Sequence, residues 1–338
     1  SATVVNKQGL IETVQSGIPR IDFSDDANGA LKLEPQSTNL IPYSSDFSSL
    51  NALSNALVTS NQIIAPSGLL DADEITFDGT SNGRVEASLS VTNGATYTIS
   101  VYLKNKDLSD VTQVWIGFAQ LGQGQFITIT DEWQRYEITL ASNGTTEYPR
   151  IQFSGSGSLY AWGFQTEQSS YATSYIPTQE AISTRLSDAI NQQITNLTSV
   201  QEGTFFLDFD RGLTNGTVRD GNTDGFFYRS GSSFPATNAI EIATDIDGKV
   251  RLAVRMNGFS QLYVNNTLSR YKMLIKWSGT SVNVFVNGVL EYTSTARWTA
   301  TLPLQYIGYN SSFRKNVHQL LTYSTALTDA ECITLTTI

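Results

Sequence analysis

The sequence is poor in the residues that many metal sites and catalytic sites require. Its 338 residues include one cysteine, Cys332, and one histidine, His318. A single cysteine excludes an internal disulfide, so the fold must be held together by packing. A single histidine excludes metal sites built from several histidines, and any histidine-based triad would have to use His318. We interpret Cys332 as a small buried side chain in a short terminal helix, because no basic residue beside it would activate the thiol.

Positive charge is also scarce. The chain has 21 Lys and Arg residues against 31 Asp and Glu residues, which gives a net charge of -10, and only 15% of its residues are charged. Nucleic acids and anionic membranes are bound by clustered Lys and Arg. The densest basic pair, Lys104 with Lys106, is typical of a solvated strand end. We therefore expect no nucleic-acid partner, and a neutral ligand fits the composition better.

Long apolar runs and a secretory leader are missing as well. No run is long enough to span a bilayer, so we expect no membrane insertion. The missing leader fits a protein that is made in the cytoplasm and released by cell lysis, or a trimmed mature form.

Aromatic, β-branched and small polar residues are plentiful instead. Hydrophobic residues make up 40% of the chain and aromatic residues 11%, while Ser, Thr, Asn and Gln supply most of the polarity. Residues 97–103, 113–118, 135–140 and 150–153 alternate along the chain and are separated by turn-forming residues. This spacing predicts an antiparallel β-sandwich.

Residues 159–178, LYAWGFQTEQSSYATSYIPT, separate two such series of strands. Tyr160, Trp162 and Phe164 recur with a period of two, which predicts one strand whose aromatic side chains share a core. Pro177 cannot donate to a ladder, so the chain should leave the sheet there.

The predicted fold class is all-β, with two tandem antiparallel β-sandwiches of jelly-roll type, an N-terminal hairpin segment and a short C-terminal helix. Asn28-Gly29 and Asn287-Gly288 are hairpin-turn sequences, and Thr328 with Glu331 forms a predicted capping box for the final helix. The predicted division is residues 1–38 for the hairpin segment, 39–178 for the first sandwich, 179–200 for a linker and 201–338 for the second sandwich.

The predicted linker carries a second pattern. Ile182, Leu186 and Ile190 recur every four residues, which is compatible with a helix, although an extended linker is equally compatible.

Several motifs resemble proteins of tailed bacteriophages. GLIETVQSGIPRIDF, LKLEPQSTNLIPYSSDFS and QTEQSSYATSYIPT with TRLSDAI are similar to a module of virion proteins and prophage tail or head fibre proteins, in pieces from residue 1 to residue 190. The resemblance implies a virion localisation after synthesis in the host cytoplasm, other virion proteins as partners, and a homotrimer as the oligomeric hypothesis.

Two further resemblances concern the folds. TYTISVYLKN, DEWQRYEITL and LYAWGFQTE resemble the jelly roll of galactose-binding-like carbohydrate-binding modules. VNVFVNGVL, LQYIGYNSS and LLTYSTALTDAECITL resemble the concanavalin-A-like fold in its laminin-G-like form, over residues 201–338. Both resemblances imply domains of a kind that binds glycans.

Candidate glycan-binding residues are aromatic, because aromatic rings stack on the apolar faces of sugars. Packing in a core is the competing interpretation for each of them. The candidates are Trp115, Tyr148, Phe227, Tyr228, Trp298 and Tyr309. Trp133 and Trp277 are instead predicted to pack under the sheet and in the core.

Calcium is the one candidate cofactor, since clustered Asp and Asn side chains on loops supply the oxygen ligands that it takes. Asx-rich turns without metal remain the alternative. The candidate ligands are Asp71, Asp73, Asp220, Asn222 and Asp224. No zinc or redox metal is implied.

We expect a noncatalytic virion structural or adhesin protein that binds host-surface glycans. Enzymatic relatives of the concanavalin-like fold carry Glu-x-Asp-x-x-Glu on one strand, and this motif is missing, so no catalytic residue is assigned. Three alternatives stay open: a polysaccharide lyase or hydrolase, a binding module cut from a secreted polysaccharide-degrading enzyme, and a purely architectural decoration or fibre protein.

Overall fold

A computed structural model describes most of the chain. The described residues are 2–50, 52–80, 82–107, 111–119, 122–193, 201–210, 213–214, 225–229, 238–244, 250–256, 259–264, 268–279, 281–294, 306–309 and 313–338. Within these ranges the fold is all-β, apart from a 3-10 turn at Phe47–Ser49 and one short helix, α1, at Asp329–Thr336. The predicted fold class is confirmed. No helix in the described ranges is long and apolar enough to cross a membrane.

The chain divides into two compact units. The first comprises Ser1–Ala27 and Gln36–Leu186, and the second comprises Asn28–Pro35 and Ser187–Ile338. Strands of the first unit are β1 Ala2–Val5, β2 Ile11–Val14, β3 Ile21–Asp22, β5 Ser37–Asn39, β6 Ala52–Ser54, β7 Ala56–Ile64, β8 Leu70–Asp78, β9 Gly83–Glu86, β10 Leu89–Ser90, β11 Thr96–Asn105, β12 Gln113–Phe118, β13 Gln123–Thr128, β14 Gln134–Ala141, β15 Thr146–Glu147, β16 Pro149–Phe153, β17 Ser156–Glu167 and β18 Ser183–Arg185.

Strands of the second unit are β4 Ala30–Leu33, β19 Ile190–Gln193, β20 Glu202–Asp210, β21 Leu213–Thr214, β22 Gly225–Arg229, β23 Asn238–Thr244, β24 Val250–Met256, β25 Phe259–Val264, β26 Arg270–Ser278, β27 Ser281–Val286, β28 Val289–Ser294, β29 Tyr306–Tyr309 and β30 Phe313–Tyr323. β4 belongs here because it pairs antiparallel with β30, Leu31 opposite Val317. The sequence interpretation placed β4 in the N-terminal segment.

The first unit is a sandwich of two five-stranded antiparallel sheets. Their strand orders are β14-β11-β17-β8-β7 and β13-β12-β16-β9-β6. Alternating side chains meet between the sheets: Ile99 and Val101 of β11 share one core with Ile116 of β12 and Ile151 of β16. All four are buried to 1% exposure or less, and each such burial contributes roughly 1.5–3 kcal/mol.

A β-bulge interrupts the last strand of this sandwich. The pairing of β11 with β17 shifts between Ser100 and Tyr102, and Gly163 takes a left-handed φ of 67° at the shift. Phe164 therefore points into the main core, whereas Trp162 belongs to a separate cluster on the other face of the sheet. The prediction that Tyr160, Trp162 and Phe164 share one core was wrong, because a strict period of two does not survive a bulge.

The N-terminal segment and the predicted linker also take particular forms. At the predicted hairpin turn Asn28-Gly29, Gly29 takes the expected positive φ, 78°. A second hairpin, which the sequence reasoning did not predict, is formed by β1 and β2 across a turn in which Gly9 has a φ of 81°. In the region predicted as a linker, β18 pairs with β5 and β19 pairs with β29. Ile182, Leu186 and Ile190 therefore form no helical stripe, because extended pairing uses the backbone instead.

The second unit has a sheet of order β19-β29-β22-β23-β24-β25 and a sheet that contains β28-β27-β26-β20-β30-β4. Its core includes Phe205, Met273 and Trp277, which confirms the prediction for Trp277. α1 packs Cys332 against Phe206 in a second cluster.

The capping box of α1 is present as predicted. Thr328 Oγ1 accepts a hydrogen bond from the Glu331 amide at 3.3 Å, and Thr328 N donates to Glu331 Oε2 at 2.8 Å. Burial raises the pKa of the Cys332 thiol to about 11, which agrees with the interpretation of this residue as structural.

Candidate functional site

The two sheets of the first unit expose very different outer faces. On the sheet β13-β12-β16-β9-β6, which we call the open sheet, Phe126 is 73% exposed and Trp115 is half-buried. Phe126 is the one aromatic residue among the exposed large hydrophobic side chains of the described ranges. Strand pairing places Phe126 opposite Trp115, Trp115 opposite Gln152, and Gln152 opposite Arg84. One row across four strands therefore carries two aromatic rings, an amide and a guanidinium.

Trp115 lies over two glycines. A Cβ atom added to Gly124 would come within 2.4 Å of the indole Cζ2, and one added to Gly117 would come within 2.8 Å of the indole Cη2. Gly117 and Gly124 are paired neighbours on β12 and β13. The missing side chains let the indole rest against the backbone, and the Trp115 side chain remains half-buried on the outer face of the sheet.

A polar group lies beside the aromatic pair. Glu86, 7% exposed, forms ion pairs with Arg84 Nε, at 3.5 Å, and with Arg150 Nη2. Arg150 Nη1 also donates to Gln152 Oε1 at 3.1 Å, and Gln152 Nε2 donates to Asn82 Oδ1 at 3.3 Å. These contacts fix the orientation of the polar side chains without a ligand.

The sequence identified part of this face. Trp115 was a candidate and lies on this face. Tyr148 lies beyond the end of the face, since its carbonyl accepts from the Ala119 amide at 3.1 Å just past the paired ends of β12 and β16. Tyr148 is half-buried and lies two residues before Arg150. Phe126, Arg84 and Arg150 were missed. The sequence did contain a pattern that could have indicated them. Polar residues alternate with apolar ones in RVE and PRIQF, and glycine alternates with polar and aromatic residues in GQGQF.

The outer face of the other sheet, which we call the covered sheet, lies under a layer made by β1, β2 and residues 168–178. Ile11, Trp162 and Tyr175 pack together there, and the rings of Trp162 and Tyr175 have centroids 4.5 Å apart. Trp133 packs against this cluster, as predicted, and its Nε1 donates to the Ile64 carbonyl at 3.0 Å.

Buried polar side chains tie this layer down. Glu167, fully buried, accepts from Thr173 N at 2.9 Å and from Ser37 Oγ at 2.6 Å. Asn39, also fully buried, donates to the carbonyls of Phe164 and Ile176 at 3.2 and 3.0 Å. These hydrogen bonds give Glu167 and Asn39 a structural role.

The first calcium candidate is a hydrogen-bonded strand carboxylate. Asp73 is buried, and its two oxygens accept from the amides of Phe47 at 2.8 Å and Asn61 at 3.0 Å. Burial raises the pKa of Asp73 above its ordinary value, against the effect of these hydrogen bonds. Asp71 accepts from Ser67 Oγ at 2.9 Å. Within the described ranges, no three His, Cys, Asp or Glu residues come together as a metal site.

The remaining candidates belong to the second unit. Asp220, Asn222, Asp224 and Trp298 lie outside the described residues. Phe227 and Tyr228 lie on β22 and Tyr309 on the adjacent strand β29, with Tyr228 opposite Ile307. Their backbones are described and their side chains are not, so these residues stay predictions.

The first unit also has a shallow depression of about 490 Å³ at the edge of the sandwich. Its lining is polar and uncharged apart from a few apolar side chains: Gln36, Ser37, Thr38, Leu40, Ser90, Val91, Thr92, Tyr97 and Gln168. Tyr97 Oη already accepts from the Thr92 amide at 2.9 Å.

Comparisons with known proteins return folds and no family. No family model matches the chain, and no curated protein matches it. A pentraxin from Limulus polyphemus is 15% identical, with a TM-score of 0.35, over 44% of this chain and 75% of that one. The carbohydrate-binding module CBM40 of a Ruminococcus gnavus sialidase is 14% identical, with a TM-score of 0.28, over 41% of this chain and 84% of that one.

A third structure matches a longer part of the chain. The N-terminal tandem CBM22 domains of Paenibacillus barcinonensis Xyn10C are 10% identical, with a TM-score of 0.32, over 86% of this chain and 99% of that one. The structures that this chain resembles thus include carbohydrate-binding and pentraxin domains. The likenesses are too remote to assign a ligand to any residue.

Proposed function

We propose that this chain is a noncatalytic carbohydrate-binding protein whose first unit holds a glycan on the outer face of the open sheet. The observation that carries the proposal is the Trp115 indole resting on Gly117 and Gly124, with the exposed ring of Phe126 beside it. A supported indole with one free side is a stacking surface for the apolar face of a sugar ring.

The surrounding polar groups complete the chemistry. Gln152, Arg84 and Arg150 supply donors and acceptors of the kind that fix sugar hydroxyls in binding sites. The row from β13 to β9 crosses three strand spacings, about 14 Å. This length exceeds one sugar ring, so the face suits an oligosaccharide segment better than a single monosaccharide.

The carboxylates argue for binding without cleavage. Glycoside hydrolysis uses two carboxyl groups about 5–9.5 Å apart, one on each side of the scissile bond. Among the described residues of the open face, Glu86 is the one carboxylate, and two arginines already neutralise it. The described part of this face therefore holds no second carboxyl group to pair with Glu86 across a scissile bond.

The biological setting of the proposal is the virion of a tailed phage, where the protein would attach the particle to host-surface glycans. This part is supported by the motif resemblance of residues 1–190. Other virion proteins would be its partners. A homotrimer would convert weak single-site binding into firm attachment. Light scattering coupled to size-exclusion chromatography tests the oligomer, and a monomer of 37.0 kDa would contradict it.

The decisive experiment is a screen of bacterial surface polysaccharides followed by calorimetry, with calcium and again with chelator. We expect binding of a defined polysaccharide without release of reducing ends. Trp115→Ala should lower the affinity at least tenfold. Leu57→Ala, which truncates a 65% exposed side chain on β7 of the covered sheet, is the control and should bind as the unmodified chain does.

Three results would contradict the proposal. If the Trp115→Ala variant binds with the same affinity as the unmodified chain, the site does not lie at Trp115. If the polysaccharide is cleaved, the protein is an enzyme. Failure of the folded chain to bind any glycan would leave the architectural alternative.

A further inference from the structure

We infer that the glycan held on the open sheet is acidic, with a carboxylate on a sugar next to the one that stacks on Trp115. This inference rests on the proposed function and names the ligand class for the same site. It reverses the expectation of a neutral ligand, which was drawn from the net charge of the whole chain.

The charge on the open face is the opposite of the charge on the chain. The chain carries -10, yet the described part of this face has two guanidiniums, Arg84 and Arg150, against one carboxylate, Glu86. The side chains of Arg84, Arg150 and Glu86 are 30%, 17% and 9% exposed. The carboxylate is therefore the most deeply placed group, and the positive charges lie nearer to the surface.

One guanidinium charge is thus left uncompensated in a partly desolvated place. Arg84 Nε and Arg150 Nε are buried atoms that have no hydrogen-bond acceptor within the described structure. The ion pair of Arg84 with Glu86 is 3.5 Å long, which exceeds a charge-assisted hydrogen bond of about 2.7–2.9 Å. Because the Nε atoms are themselves buried, a ligand carboxylate would pair with the terminal nitrogens of Arg84, the more exposed of the two guanidiniums, and it matches these donors better than hydroxyl groups would.

The position of the two arginines matches an adjacent sugar. Arg150 pairs directly with Gly117, one of the two glycines beneath the indole. Arg84 lies two strands from Trp115, about 10 Å across the sheet. A sugar stacked on Trp115 would place a carboxylate of its neighbour along the chain over these guanidiniums.

The test uses hexamers of galacturonic, glucuronic and mannuronic acid, each compared with its carboxyl-reduced neutral form. The two forms share the stacking faces and differ in charge. We expect an acid hexamer to bind the unmodified chain at least tenfold tighter than its neutral form, with a preference that declines as salt screens the charges.

Variants then locate the preference. Arg84→Gln should reduce the tenfold preference to less than about threefold. The affinity for the neutral form should fall by a smaller factor than the affinity for the acid form, because glutamine keeps a hydrogen-bond donor for a hydroxyl but carries no charge. Lys106→Gln is the matched control, because it removes one positive charge from the ion pair with Glu74 on the covered sheet. It should retain the full preference.

The outcomes separate the two proposals. If acid and neutral hexamers bind equally and Trp115→Ala binds neither, the inference of an acidic ligand is wrong and the proposed glycan site stands. A preference that survives in Arg84→Gln overturns the role of this arginine. Acid binding that Trp115→Ala does not weaken overturns the proposed site itself, as does the absence of binding to every glycan.

Discussion

The two outer faces of the first sandwich come from sheets of five strands each, yet one is sealed and the other is open. On the covered sheet, Trp162 is 3% exposed beneath residues 168–178 and the N-terminal hairpin. On the open sheet, Phe126 is 73% exposed and the Trp115 indole rests on glycines. Aromatic residues are therefore buried in a packed cluster on one face and are half-buried or exposed on the other.

The difference lies in what surrounds each ring. Trp162 has Tyr102 at 5.6 Å and Tyr175 at 4.5 Å between ring centroids, so its apolar surface is already used. Trp115 has a glycine surface on one side and ion-paired polar groups at its edge. Our proposal of a glycan site at Trp115 rests on this difference in surroundings.

The largest expected effect is on the covered face, where Asn39→Ala would break the tie between the covering layer and the sheet. Asn39 makes four hydrogen bonds, and its Oδ1 accepts from the amides of Ile41 at 3.0 Å and Thr166 at 3.2 Å. Alanine would leave these buried groups without partners, so the free energy of unfolding should fall by about 3 kcal/mol. Urea unfolding followed by tryptophan fluorescence measures this loss.

Thr38→Ala is the control for that variant. Its hydroxyl shares an exposed hydrogen bond of 2.8 Å with Thr184, and its loss should cost less than about 0.5 kcal/mol. Glycan affinity of folded Asn39→Ala should be unchanged, since the open face belongs to the other sheet. A loss of affinity together with stability would show that the two faces are not independent.

The next effect is on the open face. Gly124→Ala would place a Cβ atom 2.4 Å from both the Ile116 carbonyl oxygen and the Trp115 indole, so the ring must move. We expect the glycan affinity to fall about tenfold, and the free energy of unfolding to fall by about 1–2 kcal/mol, as overpacking does. Calorimetry and urea unfolding measure the two changes.

Thr128→Ala is the control for Gly124→Ala, because Thr128 is an exposed residue of the same strand, and it should change neither quantity. A Gly124→Ala variant that binds glycan normally would refute the supported-indole geometry.

The smallest effect concerns alkaline pH and the covered face. Tyr175 is buried and its hydroxyl lies 2.6 Å from Ser44 Oγ. Burial raises the pKa of Tyr175 well above its ordinary value of 10.0. The contribution of the protonated Tyr175 side chain to the free energy of unfolding is therefore fully present below pH 10. It is lost as the pH rises from the pKa of the unfolded state towards the pKa of the folded state.

Tyr175→Phe tests this pH dependence. At pH 7 it should lower the free energy of unfolding by about 1 kcal/mol, the contribution of one hydrogen bond. Above pH 10 the unmodified chain should lose stability, because Tyr175 ionises in the unfolded state and this favours unfolding. The Tyr175→Phe variant has no phenol at this position, so the difference in unfolding free energy between the two chains should shrink. Urea unfolding at pH 8, 10 and 11 measures both chains, and a constant difference would show that the buried hydroxyl does not titrate on unfolding.

Local signals in the sequence were accurate where neighbours along the chain decide the structure. The capping box of Thr328 and Glu331 and the burial of Trp277 follow from side chains and alternation within a few residues. Trp115 was identified because it is aromatic, but the same reasoning could not separate it from Trp162. Trp115 and Trp162 differ in which side chains pack on each ring. These neighbours come from distant parts of the chain, so the local sequence pattern does not reveal them.

By itself the sequence determined the all-β class, the strands and their turns, since period-two alternation and turn-forming residues act over short distances. Three features depend on the tertiary structure: the bulge at Gly163, the pairing of β4 with β30 of the second unit, and which outer face of the first sandwich is left uncovered. Phe126, Arg84 and Arg150 lie far apart in the chain and become one surface through strand pairing. Register across strands is fixed by packing of the whole sandwich, so a binding face of this kind emerges only when the sheet is assembled.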